Sequence, residues 1–403
     1  MEQPARAAVG AGAPDGGSVF LNGGRTVVGS AEQMADRQGR AGDAASAHPD
    51  AVSALRGKSL TGGLRSRGRG RLDLWIGLLV LGVLVLVVVS FGLGRYLLAP
   101  WTVLQVLVGQ VLDIPVHWTA TDQTVVMQVR LPRIAGALLV GAALAASGAA
   151  YQTAFRNPLV SPEILGVAAA AGFGASLALL LGLAPGVLQV MAFGCGVLAA
   201  VLSLAIGRIV GSGSTIVLVL GGIVVGAMFQ ALISVTQYLA DPENTLPEIT
   251  FWLLGGLGRV NLGGLVVPGI IVAVCLGMLY AVRWPLTVLA AGDDEARTLG
   301  VNRRLVWILV VTAATLMTAT VVSVVGIIGW VGLVVPHLAR FIVGPSFARL
   351  LPVSALLGAG YLLAVDDVAR SATSVDLPLG ILTALIGAPF FVALLARAGR
   401  QWL

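Results

Sequence analysis

Few residues in this 403-residue chain are of types that do covalent or metal chemistry, and their spacing argues against both. His48, His117 and His337 are far apart and lack carboxylate or cysteine neighbours at helical spacing, so no metal ligand set is read. Cys195 and Cys275 each sit inside an apolar stretch and read as buried thiols. The only lysine, Lys58, lies in Arg56-Gly-Lys-Ser-Leu60 without the upstream glycine spacing of a phosphate-binding loop, whose lysine must reach the nucleotide phosphates. The chain is therefore not read as an enzyme, and any energy from ATP must come from another subunit. What remains is arginine, whose planar fork pairs bidentately with carboxylates. Arg130, Arg133 and Arg370 stand near the ends of apolar stretches, and Gly292-Asp-Asp-Glu-Ala-Arg-Thr-Leu-Gly300 forms a short charged segment between two glycines.

The elements that position these residues are long and apolar. Hydrophobic residues make up 57% of the chain and charged residues 11%, with mean hydropathy +0.94. A soluble domain carries roughly 25% charged residues. Spans are predicted near 74–95, 132–153, 164–183, 187–208, 216–239, 262–282, 305–325, 328–343, 353–371 and 378–397, each long enough or nearly so to cross roughly 30 Å of hydrocarbon. The fold class is thus all-α and polytopic, with about ten transmembrane helices. Among the 53 glycines, Gly141 joins Ala137, Ala145 and Ala149 in a small-residue stripe that lets helices approach closely. Residues 1–72, rich in Gly, Ala, Ser and Arg, read as a disordered cytoplasmic extension, and 73–403 as the membrane domain with a charged loop at 283–305.

Charge sets the expected orientation. With both termini inside, 20 basic residues fall on the cytoplasmic side and 5 outside, which satisfies the positive-inside rule; the reverse orientation violates it. Acids such as Asp113, Asp122, Asp241, Glu243 and Glu248 fall in the outer loops. Charge within the spans is scarce, unlike the buried ionisable groups expected of a gradient-driven transporter.

Five ordered motifs carry a resemblance over about residues 74–400: Arg130-Leu-Pro-Arg133 with Gly141–Gly148, Gln152, Arg156-Asn-Pro-Leu159, Pro162 and Leu165-Gly166; Trp252-Leu-Leu-Gly-Gly-Leu257; Gly292–Gly300; Gly329–Arg340; and Leu377–Phe391. In these the chain resembles the iron-siderophore, haem and cobalamin permease family of ABC importers.

The resemblance implies a permease subunit in the cytoplasmic membrane of a prokaryote. It would pair with a second copy or a homologue, two ATP-binding subunits and an external solute-binding protein, with no nucleic acid. It implies that Gly292, Asp293, Ala296, Leu299 and Gly300 form the helix that couples to the ATPase, and that Arg130, Arg133 and Arg370 receive carboxylates of the binding protein. Ser214 and Thr215 in Gly211-Ser-Gly-Ser-Thr215 match the cytoplasmic gate. No cofactor is implied on this chain, ATP and magnesium being held by the partner. The cargo implied is a metal chelate, foremost a ferric siderophore, with haem, cobalamin and molybdate as alternatives. Asp366, four residues before Arg370, predicts an (i, i+4) ion pair. His337 reads as a packing residue, and Gly326, Gly329 and Gly332 as sites of close packing or bending.

Overall fold

The computed structural model describes residues 61–94, 96–211 and 215–399. The chain divides into two units, Met1–Arg67 and Gly68–Leu403. Ser214 lies outside the described residues.

Among the described residues the chain is helical, without strands. In order the helices are α1 (Thr61–Gly92), α2 (Pro100–Val108), α3 (Ala120–Thr124), α4 (Leu131–Ala154), α5 (Val167–Leu180), α6 (Pro185–Val210), α7 (Thr215–Leu239) and α8 (Thr245–Leu253). They continue as α9 (Leu262–Ala281), α10 (Arg283–Ala291), α11 (Asp293–Thr298), α12 (Arg303–Val325), α13 (Val331–Val343), α14 (Phe347–Ser371) and α15 (Leu379–Gly399). Among the described residues seven helical stretches are long and apolar enough to cross a membrane, and three shorter apolar helices, α5, α13 and part of α15, complete the ten expected stretches.

The span predicted at 132–153 begins earlier, because α3, a π-helical turn over Val125–Arg130, and α4 run on as one helix from Ala120 to Ala154. Its start is a capping box: the Thr119 hydroxyl accepts from the Asp122 amide, and the Asp122 carboxylate accepts from the Thr119 amide. Pro132 has no N–H and its ring crowds the preceding turn, which widens into the π-turn and carries Arg130 at its end.

Helix α4 is the hub, with 78% of its apolar window buried against 11% for α1. Its stripe works as expected: Ala137, Ala145 and Ala149 are fully buried, and Gly141 meets Gly358 of α14 backbone to backbone. A Cβ on Gly141 would lie 2.7 Å from the Gly358 carbonyl carbon and 2.9 Å from Leu362 Cβ. Gly148 makes the same kind of approach to Gly332 of α13.

Candidate functional site

The functional residues gather at the two ends of the bundle and at the breaks between them. At one end lies α11, a single short helix ended by a Schellman turn in which the Val301 amide donates to the Ala296 carbonyl at 2.8 Å and the Gly300 amide to that of Arg297 at 3.1 Å. Gly300 takes φ +69°, the left-handed conformation this turn needs. Ala296 is buried, whereas Asp294, Glu295, Arg297, Thr298 and Leu299 are exposed.

Asp293 anchors this segment. Its carboxylate accepts from Arg156, just past the end of α4, and from Arg303 at the start of α12 at 2.7 Å. Arg156 also donates through Nε to the Leu289 carbonyl at 2.9 Å. One carboxylate therefore ties α11 to the hub helix and to α12. The Arg156 hydrogen bond, with the charges of Arg156, Arg303 and Arg297, holds the Asp293 carboxyl below the usual carboxylate range. Because its folded pKa is depressed, this tie is at full strength above the ordinary carboxylate pKa and weakens only as pH falls through the lower folded value. Asp293→Asn is expected to raise hydrogen exchange across 292–301 at neutral pH, while wild type stays protected from pH 8 to about 5.

Arg130, Arg133 and Arg370 meet at the other end, around Asp366 and Asp367. They are 3%, 7% and 8% exposed, and most of their donors are engaged within the chain. Arg133 donates through Nε to both Asp366 oxygens at 2.8 and 2.9 Å and through a terminal nitrogen to Asp376 at 2.5 Å. Arg370 binds Asp367, the Ser90 carbonyl at 2.5 Å and the Leu93 carbonyl at 2.9 Å. Arg130 donates to the carbonyls of Phe91 and Tyr96. The reason is electrostatic: a guanidinium this far from water needs its donors met, and carbonyls in the last turn of α1 and just beyond it, with the carboxylates of Asp366, Asp367 and Asp376, meet most of them.

The predicted Asp366–Arg370 pair is present at 3.8 Å, beyond hydrogen-bond distance, and leaves Arg370 Nε without a hydrogen-bond partner. The principal partner of Asp366 is Arg133, 233 residues away in sequence, and that of Arg370 is Asp367. Helical spacing suggested the first pair; no local signal gives the cross-helix one.

Between the ends, three irregular segments from separate motifs interlock. The Gly256 amide donates to the Val325 carbonyl at 2.8 Å, that of Leu379 to Gly255 at 3.0 Å, and that of Gly380 to Leu254 at 3.1 Å. Gly255 and Gly326, at φ +71° and +78°, make the turns. A cavity of about 220 Å³ beside them is lined by Arg133, Arg259, Asp376 and the backbone of 255–258. Gly332 is a close-packing position as expected, since a Cβ there would lie 2.6 Å from the Pro162 ring. Gln152 donates to the carbonyls of Gly332 and Leu333 and accepts from Arg340 at 2.5 Å. His337 stacks edge-on against Phe341 and Phe390, in keeping with a packing role. Thr215 opens α7.

A bundle of apolar helices, broken by glycine-rich segments and bearing an acidic helix tied to one end, defines a membrane transport permease. The chain belongs to the FecCD transport family, which matches residues 82–397, and is in that family a multi-pass permease subunit of an ABC importer. It is 39% identical over 325 residues to the molybdate import system permease protein MolB of Haemophilus influenzae, covering 80% of this chain and 95% of that one. A probable iron chelatin transport system permease of Helicobacter pylori is 35% identical over 320 residues, covering 78% and 95%. The cobalamin import system permease BtuC of Halobacterium salinarum is 40% identical over 313 residues, covering 76% and 81%. A solved structure of a metal-chelate type ABC transporter in an inward-facing conformation superposes with TM-score 0.72 at 37% identity, over 81% of this chain and 99% of that one.

Proposed function

We propose that this chain forms half of an import pathway for a metal chelate, foremost a ferric siderophore, driven by ATP hydrolysed on a partner subunit. The observation that carries this reading is α11, a short helix with exposed Leu299 and acidic residues on its outer side and Asp293 tied to α4 and α12 on its inner side. A groove on an ATP-binding subunit that grips α11 would move both helices at once. On this reading the α11 end faces the cytoplasm of a prokaryotic cell, with both termini on that side of the inner membrane, and Ser214 and Thr215 belong to the cytoplasmic gate.

The full assembly comprises two permeases, two ATP-binding subunits carrying ATP and magnesium, and an external solute-binding protein. That protein docks over the Arg133 end. Since Arg130, Arg133 and Arg370 are internally engaged, docking reaches them only by exchanging an internal partner for a carboxylate of the incoming protein. Molybdate is the second reading for the cargo, favoured by the 39% identity to a molybdate permease.

The test is uptake into proteoliposomes holding the whole assembly. Deleting residues 292–300 is expected to abolish ATP-dependent uptake while the permease still inserts and pairs; unchanged uptake would sink the coupling assignment. Running ferric siderophore and molybdate side by side decides the cargo.

A further inference from the structure

Most polar groups inside the bundle have partners, but one carboxylate does not. Glu163, in the helical turn Pro162–Leu165 that precedes α5, is exposed; its backbone carbonyl accepts from the Gly166 amide at 2.9 Å, but its carboxylate makes no hydrogen bond or ion pair among the described residues.

Its neighbours fix its depth. Pro162 packs at Gly332 beside the Leu144 carbonyl, 3.0 Å from where a Gly332 Cβ would be, and Leu144 is ten residues from the Ala154 end of α4. On the other side, Leu165 Cα would lie 3.0 Å from a Cβ on Gly222, seven residues from the start of α7. At 1.5 Å per residue these markers put Glu163 about 10–15 Å inside an apolar layer of roughly 30 Å. Hydropathy alone places this residue just before a span, in a chain with little charge within its spans; the chain past α4 instead turns back inward and carries the carboxylate to depth.

Two broken segments meet there, the re-entrant turn before α5 and the irregular Gly326–Trp330 run before α13. Gly329 keeps the space beside the acid open, since a Cβ there would lie 3.2 Å from Glu163 Oε1. Irregular backbone at membrane depth persists only inside protein or against water, and an exposed ionisable group cannot face hydrocarbon cheaply. Paired helix breaks near mid-membrane are also where transporters hold or pass their cargo.

We infer that Glu163 lines the aqueous translocation pathway, and that its carboxylate favours cargo presenting a metal cation or other positive charge over a bare oxyanion. This rests on the permease reading above and selects between its two cargoes.

The test has two arms, both on the full chain in its complete assembly. In a background with Cys195 and Cys275 replaced by alanine, Glu163→Cys is expected to react with a membrane-impermeant charged methanethiosulfonate in at least one of the ATP-bound and ATP-free states. A cysteine inert in both states would overturn the placement. In the second arm, Glu163→Gln and Glu163→Lys are compared for uptake of ferric siderophore and of molybdate. Siderophore uptake is expected to fall severalfold with glutamine and at least about tenfold with lysine, in keeping with the scale of local charge effects on ion access. Equal uptake by all three proteins, or a gain specific to glutamate for molybdate, would overturn the cargo preference. If wild type takes up neither cargo with ATP, the permease reading fails instead, and the labelling arm still reports whether Glu163 meets water. Glutamine nearly preserves size, so correct insertion of that variant keeps the second arm interpretable should lysine fail to fold.

Discussion

Replacing Arg133 with alanine is expected to destabilise the membrane domain by about 3–5 kcal/mol, the cost typical of removing one partner from a buried ion pair. Asp366 is 0% exposed and takes two of its hydrogen bonds from Arg133, and its other basic neighbour, Arg370, stands 3.8 Å away. Without Arg133 the carboxylate must stay charged and poorly paired or bind a proton. Asp366→Asn in the same chain should return part of the loss, because the asparagine has no charge to strand, and a double-mutant cycle would give a coupling energy well above about 1 kcal/mol. Arg259→Ala, at an exposed position on the same side of the cavity, is the control and should change stability by less than about 0.5 kcal/mol. Thermal unfolding of purified protein in nanodiscs reads all four. If Arg133→Ala unfolds no earlier than Arg259→Ala while docking of the binding protein is lost, Arg133 is a docking residue and not a structural clamp.

The second large effect concerns a residue with no side chain. A Cβ at Gly148 would lie 2.6 Å from the Gly332 carbonyl carbon and 2.8 Å from its Cα, and backbone cannot swing aside as a side chain would. Gly148→Leu should therefore force α4 and α13 apart and break the Gln152 bonds to Gly332 and Leu333 that lie one turn on. Overpacking of this kind costs typically 1–3 kcal/mol and sometimes more, so at a backbone contact about 3 kcal/mol or greater is expected, with loss of transport. Gly148→Ala should already be costly. Gly277→Ala in α9, where a Cβ would meet nothing within 4 Å, should be neutral or slightly stabilising. Tolerance of alanine at both positions alike, measured by unfolding midpoint and by yield of inserted protein, would mean that the α4–α13 contact is looser than described.

Gly148 was visible as one of many small residues in the hub helix, but that its hydrogen touches another backbone depends on where Gly332 falls after a turn nearly two hundred residues later. Arg133 was visible as a base at a span end, and the family resemblance implied a docking role for it. Its burial follows from the extra turns of α3 ahead of Pro132, which move the helix start outward and leave Arg133 facing α14. The 292–300 segment was the most legible part of the candidate site, since its bounding glycines and buried Ala296 act within a few residues. The re-entrant position of Glu163 was the least, because a residue just before an apolar run looks the same whether that run starts at the membrane surface or inside it.

By itself the sequence determined that this protein lives in a membrane, how many apolar helices it has and where a short charged helix interrupts them. Those properties depend on hydrophobicity summed over about twenty residues, or on turns closed within one motif. The tertiary structure alone decided which carboxylate each buried arginine binds, which glycines touch, and that one acid stands unpaired at depth. Such facts are set by helix contacts between distant parts of the chain, where close packing fixes the position of a side chain to a fraction of an ångström and local spacing carries no record of the partner.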